Sequence, residues 1–362
     1  MNKRFVTIFL VIVFSFAIFH FVIWTFITSK CVLNSDTKYK GDLVRFSYKA
    51  DSLFLRKTTN VPSHITLAKQ HTRVNKWNES LDVDIITLGD SFSNADTQGT
   101  NPYYQDYIVS NQSKSVLNVP PSLFVNDTNS FETLITYINN GLLDIIKPKY
   151  ILIESVERLS ISRFAKKFDF SLTDDKNVTI ENFKNYQQPL FKANNNINFI
   201  NERNTKVFVN YVKFNLQKYA KFNNVFISKL NQDFFTSKDT NSLLFYQQDL
   251  SSIPLTTKKS IKELNDNFNK LAMLLKKKGI NLYFMPAVDK YNLYSKYIVN
   301  NTHPKSIFFE ELRKLPKKYA FIDTKAILSK ELEKGVKDLY YSDDTHWSYK
   351  ASEAIFKKVK FE

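Results

Sequence analysis

The chain opens with an apolar stretch too long and too continuous for the surface of a water-soluble domain. Residues 5–28 contain no Asp, Glu, Lys or Arg and are dominated by Phe, Ile and Val. At about 1.5 Å per residue, a helix of this length spans a hydrocarbon core of about 30 Å with some tilt. A cleaved signal peptide would have a shorter apolar region followed by an Ala-x-Ala-like site, and neither is present. The sequence therefore predicts an uncleaved transmembrane helix.

The residues on either side of this stretch predict its orientation. Lys3 and Arg4 precede it, so the positive-inside tendency leaves the N-terminus in the cytoplasm and places everything after Lys30 outside. Cys31 is the single cysteine, which excludes an intramolecular disulfide and a cysteine-based metal site. Lys30 stands immediately before Cys31, where lipidation needs a small residue, so we do not expect a lipoprotein.

Composition limits the rest of the chain to a folded domain with a large core. The 362 residues are 43% apolar, enough for one large or two small domains. The net charge of +16 comes from 51 Lys and Arg against 35 Asp and Glu. The basic residues are nearly all Lys and are spread along the chain, which indicates a composition bias rather than a nucleic-acid-binding patch. Attraction to an anionic membrane or an anionic glycan remains open.

The sequence divides into three parts. Residues 1–30 are the cytoplasmic N-terminus and anchor, 31–80 a polar stalk or lead-in, and 81–362 a domain in which strand and helix patterns alternate. Predicted strands are 84–88, 115–119, 150–154 with 155–158 as its continuation, 280–285 and 319–322. Predicted helices are 103–110, 131–146, 207–226, 259–278, 305–313, 325–334 and 348–360. This alternation predicts an α/β fold with parallel strands and crossover helices.

An insertion interrupts the alternation at about 165–260. It is rich in Asn and Lys and has an aromatic segment at 207–226. A segment of this size predicts a lid or a partner-binding subdomain. Its aromatic residues could stack on sugar rings or form ordinary core. In the lead-in, His64 and His71 are expected at the surface rather than as ligands.

Two short motifs carry the chemistry. The apolar strand beginning at Ile85 ends in Gly-Asp-Ser, which places Ser91 on the turn where the chain leaves the sheet. Roughly 250 residues later, two carboxylates stand two and three residues before His346. A base and the carboxylate that orients it make up half of a nucleophilic triad, so the pattern predicts Ser91 as nucleophile and His346 as base.

Gly89-Asp90-Ser91-Phe92 and Asp344-Thr345-His346-Trp347 resemble catalytic blocks of the SGNH (GDSL-like) hydrolase superfamily. The later block is also similar to that of the AlgJ/AlgX-type polysaccharide O-acetyltransferase proteins. The likeness covers about 80–130, 145–165 and 278–356. It implies an SGNH-hydrolase-like three-layer α/β/α fold with a parallel sheet. Ser91 precedes His346 here, as in ordinary SGNH enzymes, whereas the histidine block comes first in AlgJ and AlgX.

The resemblance gives two spacings for the orienting carboxylate. The general SGNH spacing selects Asp343, and the Asp-Thr-His-Trp form selects Asp344, which we prefer. The Ser91 backbone N–H is the first oxyanion-donor candidate, because the turn leaves it unpaired. Asn118 and Asn126 are weaker candidates.

Five further residues are predicted to contribute to oxyanion stabilisation or substrate binding, and four of them have an ordinary alternative. Asp90 could instead be a turn residue, Glu154 and Arg158 a surface ion pair, and Trp347 either a wall of the acyl pocket or a packing residue. Lys290 lies in a segment that resembles a strand end of the AlgJ-like proteins. We expect no metal and no cofactor.

The apolar helix and its flanking charges predict a single-pass membrane protein with its domain outside the cytoplasm, and the resemblance implies that the membrane is the inner membrane and that the catalytic domain lies in the periplasm. The resemblance implies an O-acetyltransferase that modifies an exported or cell-surface polysaccharide through an acyl-serine intermediate. Its acetyl donor would be a multispanning membrane O-acyltransferase, because acetyl-CoA stays in the cytoplasm. The alternatives are a carbohydrate esterase that removes acetyl groups and a non-catalytic glycan-binding assembly protein.

Overall fold

The computed structural model describes most of the chain in several blocks. They are residues 2–28, 41–43, 67–94, 103–125, 129–187, 199–202, 204–205, 208–209, 212, 224–237 and 239–362. Cys31, His64, Asn126 and most of the predicted helix 207–226 lie outside the described residues.

The N-terminal helix matches the predicted apolar stretch. Helix α1 runs from Lys3 to Ile23 and is followed by a π-helical turn, Trp24–Thr28; Asn2 caps its start by accepting a hydrogen bond from the Arg4 backbone N–H. An 18-residue stretch within Lys3–Phe26 has a mean hydropathy of 2.8, and the 24 residues form a helix long and apolar enough to cross a membrane. Most of their large apolar side chains are exposed. His20 and Ile23 are the buried residues of α1.

The domain is built on a parallel sheet, which confirms the predicted α/β class. The described strands are β1 Thr72–Arg73, β2 Ile85–Leu88, β3 Val116–Val119, β4 Tyr150–Val156, β5 Val225–Lys229, β6 Ser242–Tyr246, β7 Asn281–Ala287 and β8 Ala320–Phe321. Six of them form one sheet in the order β1-β3-β2-β4-β7-β8, with every pairing parallel. Strands β5 and β6 form a separate antiparallel pair within the insertion.

Helices connect and cover these strands. After α1, those described are α2 Tyr104–Gln112, α3 Ser130–Asn139, α4 Leu142–Ile146, α5 Glu157–Phe164, α6 Lys176–Asn185, α7 Gln247–Ser251, α8 Lys258–Lys276, α9 Lys290–Tyr294, α10 Phe308–Lys314, α11 Thr324–Glu333 and α12 Tyr349–Lys358. Aromatic contacts group them: Tyr104 of α2 stacks on Phe356 of α12 at 5.3 Å between centroids. Phe131 of α3 meets Phe268 of α8 edge-on at 5.4 Å.

The central strands read as continuous apolar runs because both faces of the sheet are covered. Every residue of β2, β3 and β4 is buried. The chain passes from β2 to β3 on one side, then returns to β4 on the other. Strand order therefore reverses between β2 and β4, and the crevice at the carboxyl ends there is where open α/β sheets bind ligands. Ser91 follows β2 at that crevice.

Three predicted elements differ from the structure, and one strand was not predicted. The helix expected over 131–146 is two helices, because Gly141 adopts φ +78° between them. The strand expected to continue through Arg158 ends at Val156, and Glu157 begins α5. Val225 and Phe226, expected at the end of a helix, belong to β5. The edge strand β1 was not predicted, since two residues leave no alternation to detect.

The turn after β2 depends on a glycine for space. A Cβ at position 89 would collide with the Ser93 Oγ and the Glu154 Oε2. We therefore expect Gly89→Ala to reduce the free energy of unfolding in urea by about 1–3 kcal/mol, as overpacking does. It should also displace Ser91 and abolish its labelling by an active-site phosphonate.

Gly335→Ala is the matched control. A Cβ there meets no atom within 4 Å, but φ is +80°. This variant should lose about 1–2 kcal/mol through backbone strain alone and keep full labelling of Ser91. Equal labelling in the two variants would show that the space at position 89 does not hold the turn.

Candidate active site

The turn that presents Ser91 is fixed by contacts with the end of β4. The Asp90 backbone N–H donates to Glu154 Oε2 at 3.0 Å. The Asp90 carboxylate accepts hydrogen bonds from the backbone N–H groups of Phe92 at 3.2 Å and Val156 at 2.9 Å. Asp90 is therefore the organiser of the turn, with its carboxylate directed into the protein and away from any substrate.

The structure brings the two motifs together in triad geometry. His346 Nε2 lies 2.7 Å from the Ser91 Oγ, and His346 Nδ1 lies 2.6 Å from Asp344 Oδ1. The His346 backbone N–H also donates to Asp344 Oδ1 at 3.0 Å. With Nδ1–H donated to Asp344, Nε2 is left as the acceptor for the Ser91 hydroxyl proton.

Asp344 rather than Asp343 has the geometry of the orienting carboxylate. Asp343 Oδ2 instead accepts a hydrogen bond from the Gly41 backbone N–H at 3.0 Å. The Asp-Thr-His spacing thus gives the closer contact with the imidazole, as preferred from the sequence.

Lys290 holds the loop that carries the histidine. Its Nζ donates to the carbonyl oxygens of Tyr341 at 2.6 Å, Ser342 at 3.0 Å and Asp344 at 3.0 Å. The residue is only 1% exposed. An ammonium group has three N–H bonds, so these carbonyls use its full donor capacity and none remains for a substrate.

The buried acids set the protonation of the site. Burial by itself lowers the pKa of His346, but the Asp344 carboxylate and then Asp42 oppose it, and the net pKa lies above the ordinary value. Burial alone would raise the pKa of Asp344. The charge of His346 and its hydrogen bonds to Asp344 outweigh burial and lower this pKa to about 2. Burial lowers the pKa of Lys290 to about 8, although the nearby carboxylates act to raise it. The carboxylates beside His346 therefore favour its charged, imidazolium form.

Gly41 and Asp42 also belong to the site, although no sequence motif indicated them. Thr345 donates its backbone N–H to Asp42 Oδ1 at 2.7 Å and its hydroxyl to Asp42 Oδ2. Asp42 Oδ2 also lies 3.7 Å from His346 Nδ1. A Gly-Asp pair in a polar lead-in has no periodicity or motif spacing, so only the fold reveals this contact.

Glu154 and Arg158 are internal rather than substrate-facing. Glu154 also accepts a hydrogen bond from the Ser93 hydroxyl at 2.8 Å, and burial raises its pKa well above the ordinary value. Arg158 is bound by two carboxylates, Asp289 at 2.7 Å and Asp249 at 3.4 Å. The surface ion pair considered for Glu154 and Arg158 is wrong, since each has other partners inside the protein.

Trp347 packs beneath the turn. It is 2% exposed, and its ring meets Phe92 edge-on at 4.7 Å between centroids. The Phe92 ring lies at the same centroid distance, 4.7 Å, from His346. Trp347 therefore supports the turn and the imidazole from within the core.

The backbone N–H of Ser91 is the remaining oxyanion-donor candidate. Among the described residues, no acceptor forms a hydrogen bond with it. The Asn118 amide nitrogen is already committed to the Ser93 carbonyl at 3.2 Å and to Asn94 Oδ1 at 3.1 Å. The Asn118 side-chain oxygen accepts a hydrogen bond from the Thr87 hydroxyl at 2.9 Å. Asn118 thus fixes the turn and has no free N–H to offer.

A cavity of about 230 Å³ opens beside the turn. Its lining residues include Arg73, Asn94, Tyr103, Asn118 and Tyr186, together with His71. Asn94 belongs to the same turn as Ser91. The expectation of a surface His71 is wrong: its side chain is 4% exposed and its Nδ1 lies 2.7 Å from Asp106 Oδ1.

Asp42, Asp344 and His346 are the described residues whose side chains come close enough to share a cation. Their candidate ligand atoms all lie within 4.8 Å of one another. His346 Nδ1 is already bonded to Asp344 at 2.6 Å, so a metal at Nδ1 would remove the hydrogen bond that orients the base. Metal binding and the triad exclude each other at this position.

The carboxylate assignment predicts unequal effects of two isosteric changes. Asp344→Asn should reduce kcat by about 10⁴, the effect of a wrong imidazole tautomer in a serine-protease triad. Asp343→Asn should cost less than tenfold. Because only neutral His346 can accept the serine proton, kcat/KM should rise with pH through a pKa above 6.5. That limb should move to lower pH in Asp344→Asn.

Asp266→Asn provides the control, since Asp266 is an exposed residue of α8 paired with Lys262. It should leave kcat and the pH profile unchanged. The measurement is hydrolysis of p-nitrophenyl acetate between pH 5 and 9. A larger loss in Asp343→Asn than in Asp344→Asn would assign the orienting role to Asp343.

Comparisons with known proteins found no match for this chain. No protein-family model, no curated protein and no solved structure matches it. Functional inference therefore depends on the geometry of Ser91, His346 and Asp344 and on the motifs that hold them.

Proposed function

We propose that this protein is a membrane-anchored O-acetyltransferase that acts on an exported or cell-surface polysaccharide through an acyl-serine intermediate. The observation that carries the proposal is the continuous hydrogen-bonded line from Ser91 Oγ through His346 to Asp344, at 2.7 and 2.6 Å. It lies at the carboxyl ends of the central strands, beside the reversal of strand order.

The fold is consistent with an SGNH-hydrolase-like three-layer arrangement. Right-handed crossovers on the two sides of the strand reversal send their helices to opposite faces of the sheet. The separate contacts of α2 with α12 and of α3 with α8 agree with two helical layers. The resemblance of the Gly-Asp-Ser-Phe and Asp-Thr-His-Trp blocks supports the same assignment.

The first half-reaction forms the acyl-enzyme. His346 Nε2 takes the proton of the Ser91 hydroxyl as Oγ attacks the acetyl carbonyl, and Asp344 stabilises the resulting imidazolium. The Ser91 backbone N–H is placed to donate to the oxyanion. Collapse of the tetrahedral intermediate expels the donor's oxygen, which receives the proton from His346. Acetyl-Ser91 and the free donor alcohol result.

The second half-reaction repeats these proton transfers with a sugar hydroxyl. His346 removes the hydroxyl proton, the sugar oxygen attacks the acetyl-serine, and Ser91 regains its proton as it leaves. Water at about 55 M competes with the acceptor, so a transferase must position the sugar and limit access of water. The cavity beside the Ser91 turn and the insertion at 165–260 are the parts of the chain suited to that task.

The anchor supports a transferase that works with a membrane partner. Helix α1, with Lys3 and Arg4 at its start, would hold the catalytic domain on the periplasmic side of the inner membrane. Acetyl-CoA stays in the cytoplasm, so a multispanning O-acyltransferase would deliver the acetyl group. A carbohydrate esterase would use the same triad with water as acceptor, and the experiment below separates the two.

The fate of the acetyl group tests the proposal. The purified full-length protein should release p-nitrophenol slowly from p-nitrophenyl acetate in buffer. Release of p-nitrophenol should be several-fold faster with an oligosaccharide acceptor, because the sugar hydroxyl removes the acetyl group from Ser91 faster than water does. Mass spectrometry should then find acetyl on the oligosaccharide. Ser91→Ala and His346→Ala should abolish both the release of p-nitrophenol and the transfer of acetyl to the oligosaccharide.

Asp266→Asn is again the control and should behave as the unchanged protein. Fast release of acetate from an acetylated glycan, with none on added acceptor, would make the protein an esterase and reject the transferase. If no acyl-Ser91 forms with any activated ester, the chemistry itself is rejected in favour of a non-catalytic glycan-binding role.

A further inference from the structure

A short segment between α1 and the sheet enters the candidate active site. The Gly41 backbone N–H donates to Asp343 Oδ2 at 3.0 Å, and the Asp42 backbone N–H donates to Asp344 Oδ2 at 3.3 Å. The next residue, Leu43, is fully buried. Contacts therefore join this segment to both aspartates of a loop about 300 residues later.

The fit between segment and loop is too close for a side chain. A Cβ at position 41 would collide with the backbone carbonyl of Asp343 and come within 2.7 Å of the Asp344 backbone nitrogen. Only glycine allows this approach, so the contact depends on the identity of residue 41.

The Asp42 carboxylate fixes the residue next to the base. One oxygen accepts the Thr345 backbone N–H at 2.7 Å and the other accepts the Thr345 hydroxyl. The second oxygen also lies 3.7 Å from His346 Nδ1. Asp42 is 6% exposed, so these interactions are little screened by water.

We propose that Asp42 is a positioning residue of the Ser91–His346 centre, which fixes Thr345 and His346 from the segment that leads to the anchor. This inference rests on the proposed function only in taking Ser91 and His346 as the catalytic pair. Asp42 touches neither Ser91 nor a substrate, and it acts through Thr345 and through its charge beside His346.

The charges around Asp42 give the proposal a distinctive signature. The imidazole of His346 faces the carboxylates of Asp344 and Asp42, and Arg158 opposes their effect. The carboxylates of Asp343, Asp344 and Asp42 partly offset the lowering of the Lys290 pKa by burial. Burial, followed by repulsion from Asp344, raises the pKa of Asp42 to about 6, so it is mostly ionised at pH 7. Neutralising it should lower the pKa of His346.

Two substitutions separate the charge of Asp42 from its hydrogen bonds. Asp42→Asn retains an oxygen for the Thr345 backbone N–H but removes the charge. The acid limb of kcat/KM should move to lower pH, with a few-fold change in kcat. Asp42→Ala removes both and should reduce kcat by tenfold or more at unchanged KM. Gly41→Ala, which displaces the segment, should match Asp42→Ala, and Asp266→Asn should match the unchanged protein.

Direct titration of His346 makes the test independent of activity. The chain has five histidines, so selective histidine labelling gives few NMR signals. In a Ser91→Ala background, His346→Gln identifies the His346 signal, and added Asp42→Asn should lower its pKa. An inactive protein that still shows this shift would reject the proposed chemistry and retain the positioning role. An unchanged pKa and pH profile would overturn the positioning role, even if stability falls.

A second inference concerns the described residues of the segment 199–212, two of which contact α1. The Asn204 side-chain nitrogen lies 2.9 Å from His20 Nδ1. His20 is 4% exposed and Asn204 is fully buried. Phe208 meets Phe19 edge-on at 5.5 Å between centroids. Residues 202, 204, 205, 208, 209 and 212 are helical, so the contact is between two helices.

The depth of His20 determines the depth of its partner. His20 is six residues before Phe26, the end of the apolar helix, which corresponds to about 9 Å along the axis. If α1 spans the membrane, that position lies within the hydrocarbon, where a polar side chain needs a partner. Asn204 supplies one, and to do so it must itself lie below the membrane surface.

The exposed side chains of this segment suit the same environment. Phe199, Ile200, Phe208, Val209 and Val212 are each 37–47% exposed. Positions 208, 209 and 212 share one side of a helix. Phe208, one of these side chains, packs against Phe19 of the exposed apolar helix α1.

The geometry points to the acyl chains of the extracytoplasmic leaflet as the occupant of this face. The segment would enter the bilayer beside α1 and keep the catalytic domain at the membrane surface. This inference rests on the proposed membrane span and is independent of the chemistry at Ser91.

Spin-label accessibility measures the depth of this face. Replacing the single cysteine, Cys31→Ser, allows one label at Val209→Cys in full-length protein in phosphatidylethanolamine–phosphatidylglycerol vesicles. The label should be reached by oxygen and shielded from a water-soluble nickel chelate, as at Ile12→Cys in α1. Val178→Cys, an exposed position of α6, should show the reverse.

Access of the nickel chelate to position 209 equal to that at 178 would place the face in water and overturn the inference. Shielding of position 209 from both oxygen and the nickel chelate would also overturn the inference, because protein rather than lipid would then cover this face. If Ile12→Cys is itself open to the chelate, the membrane span is rejected and the inference with it.

Discussion

The site depends on one imidazole that joins two distant parts of the chain. His346 lies 2.7 Å from Ser91, which is 255 residues earlier on the turn after β2, and 2.6 Å from Asp344 in its own loop. Each side of this connection has its own support. Asp90 and Glu154 fix the serine turn to β4, while Lys290 fixes the histidine loop through three carbonyl oxygens. The sheet supplies the rigid frame that keeps both supports in register.

These supports require the burial of charge, which is costly unless every charged group is paired. Asp344, Asp42 and Lys290 are all nearly inaccessible to water. Their bonds to backbone groups offset part of the desolvation cost, and the remainder is visible in the altered pKa values of Lys290 and Asp42. The stability of the domain is thus partly spent on holding one imidazole between a serine and an acid.

The sequence predicted those parts of the structure that a local sequence pattern, such as an apolar run or a turn signal, is sufficient to specify. The parallel α/β class and the strand that presents Ser91 follow from continuous apolar runs and short turn signals. Elements without local pattern were missed: the two-residue strand β1 is too short to show alternation. Gly41 and Asp42 contribute through contacts with the 343–345 loop, and one sequence contains no record of such a long-range contact.

The role of Arg158 shows why chemistry cannot be assigned from position alone. A guanidinium at the carboxyl end of a strand predicts substrate binding, yet it binds Asp249 of α7 and Asp289 at the start of α9. Asp249 also accepts the Tyr291 backbone N–H at 3.3 Å. Arg158 thereby ties the end of the 165–260 insertion to the helix that begins with Lys290. Since Lys290 holds the histidine loop, a chain of buried polar contacts joins the end of the insertion to the loop that carries His346.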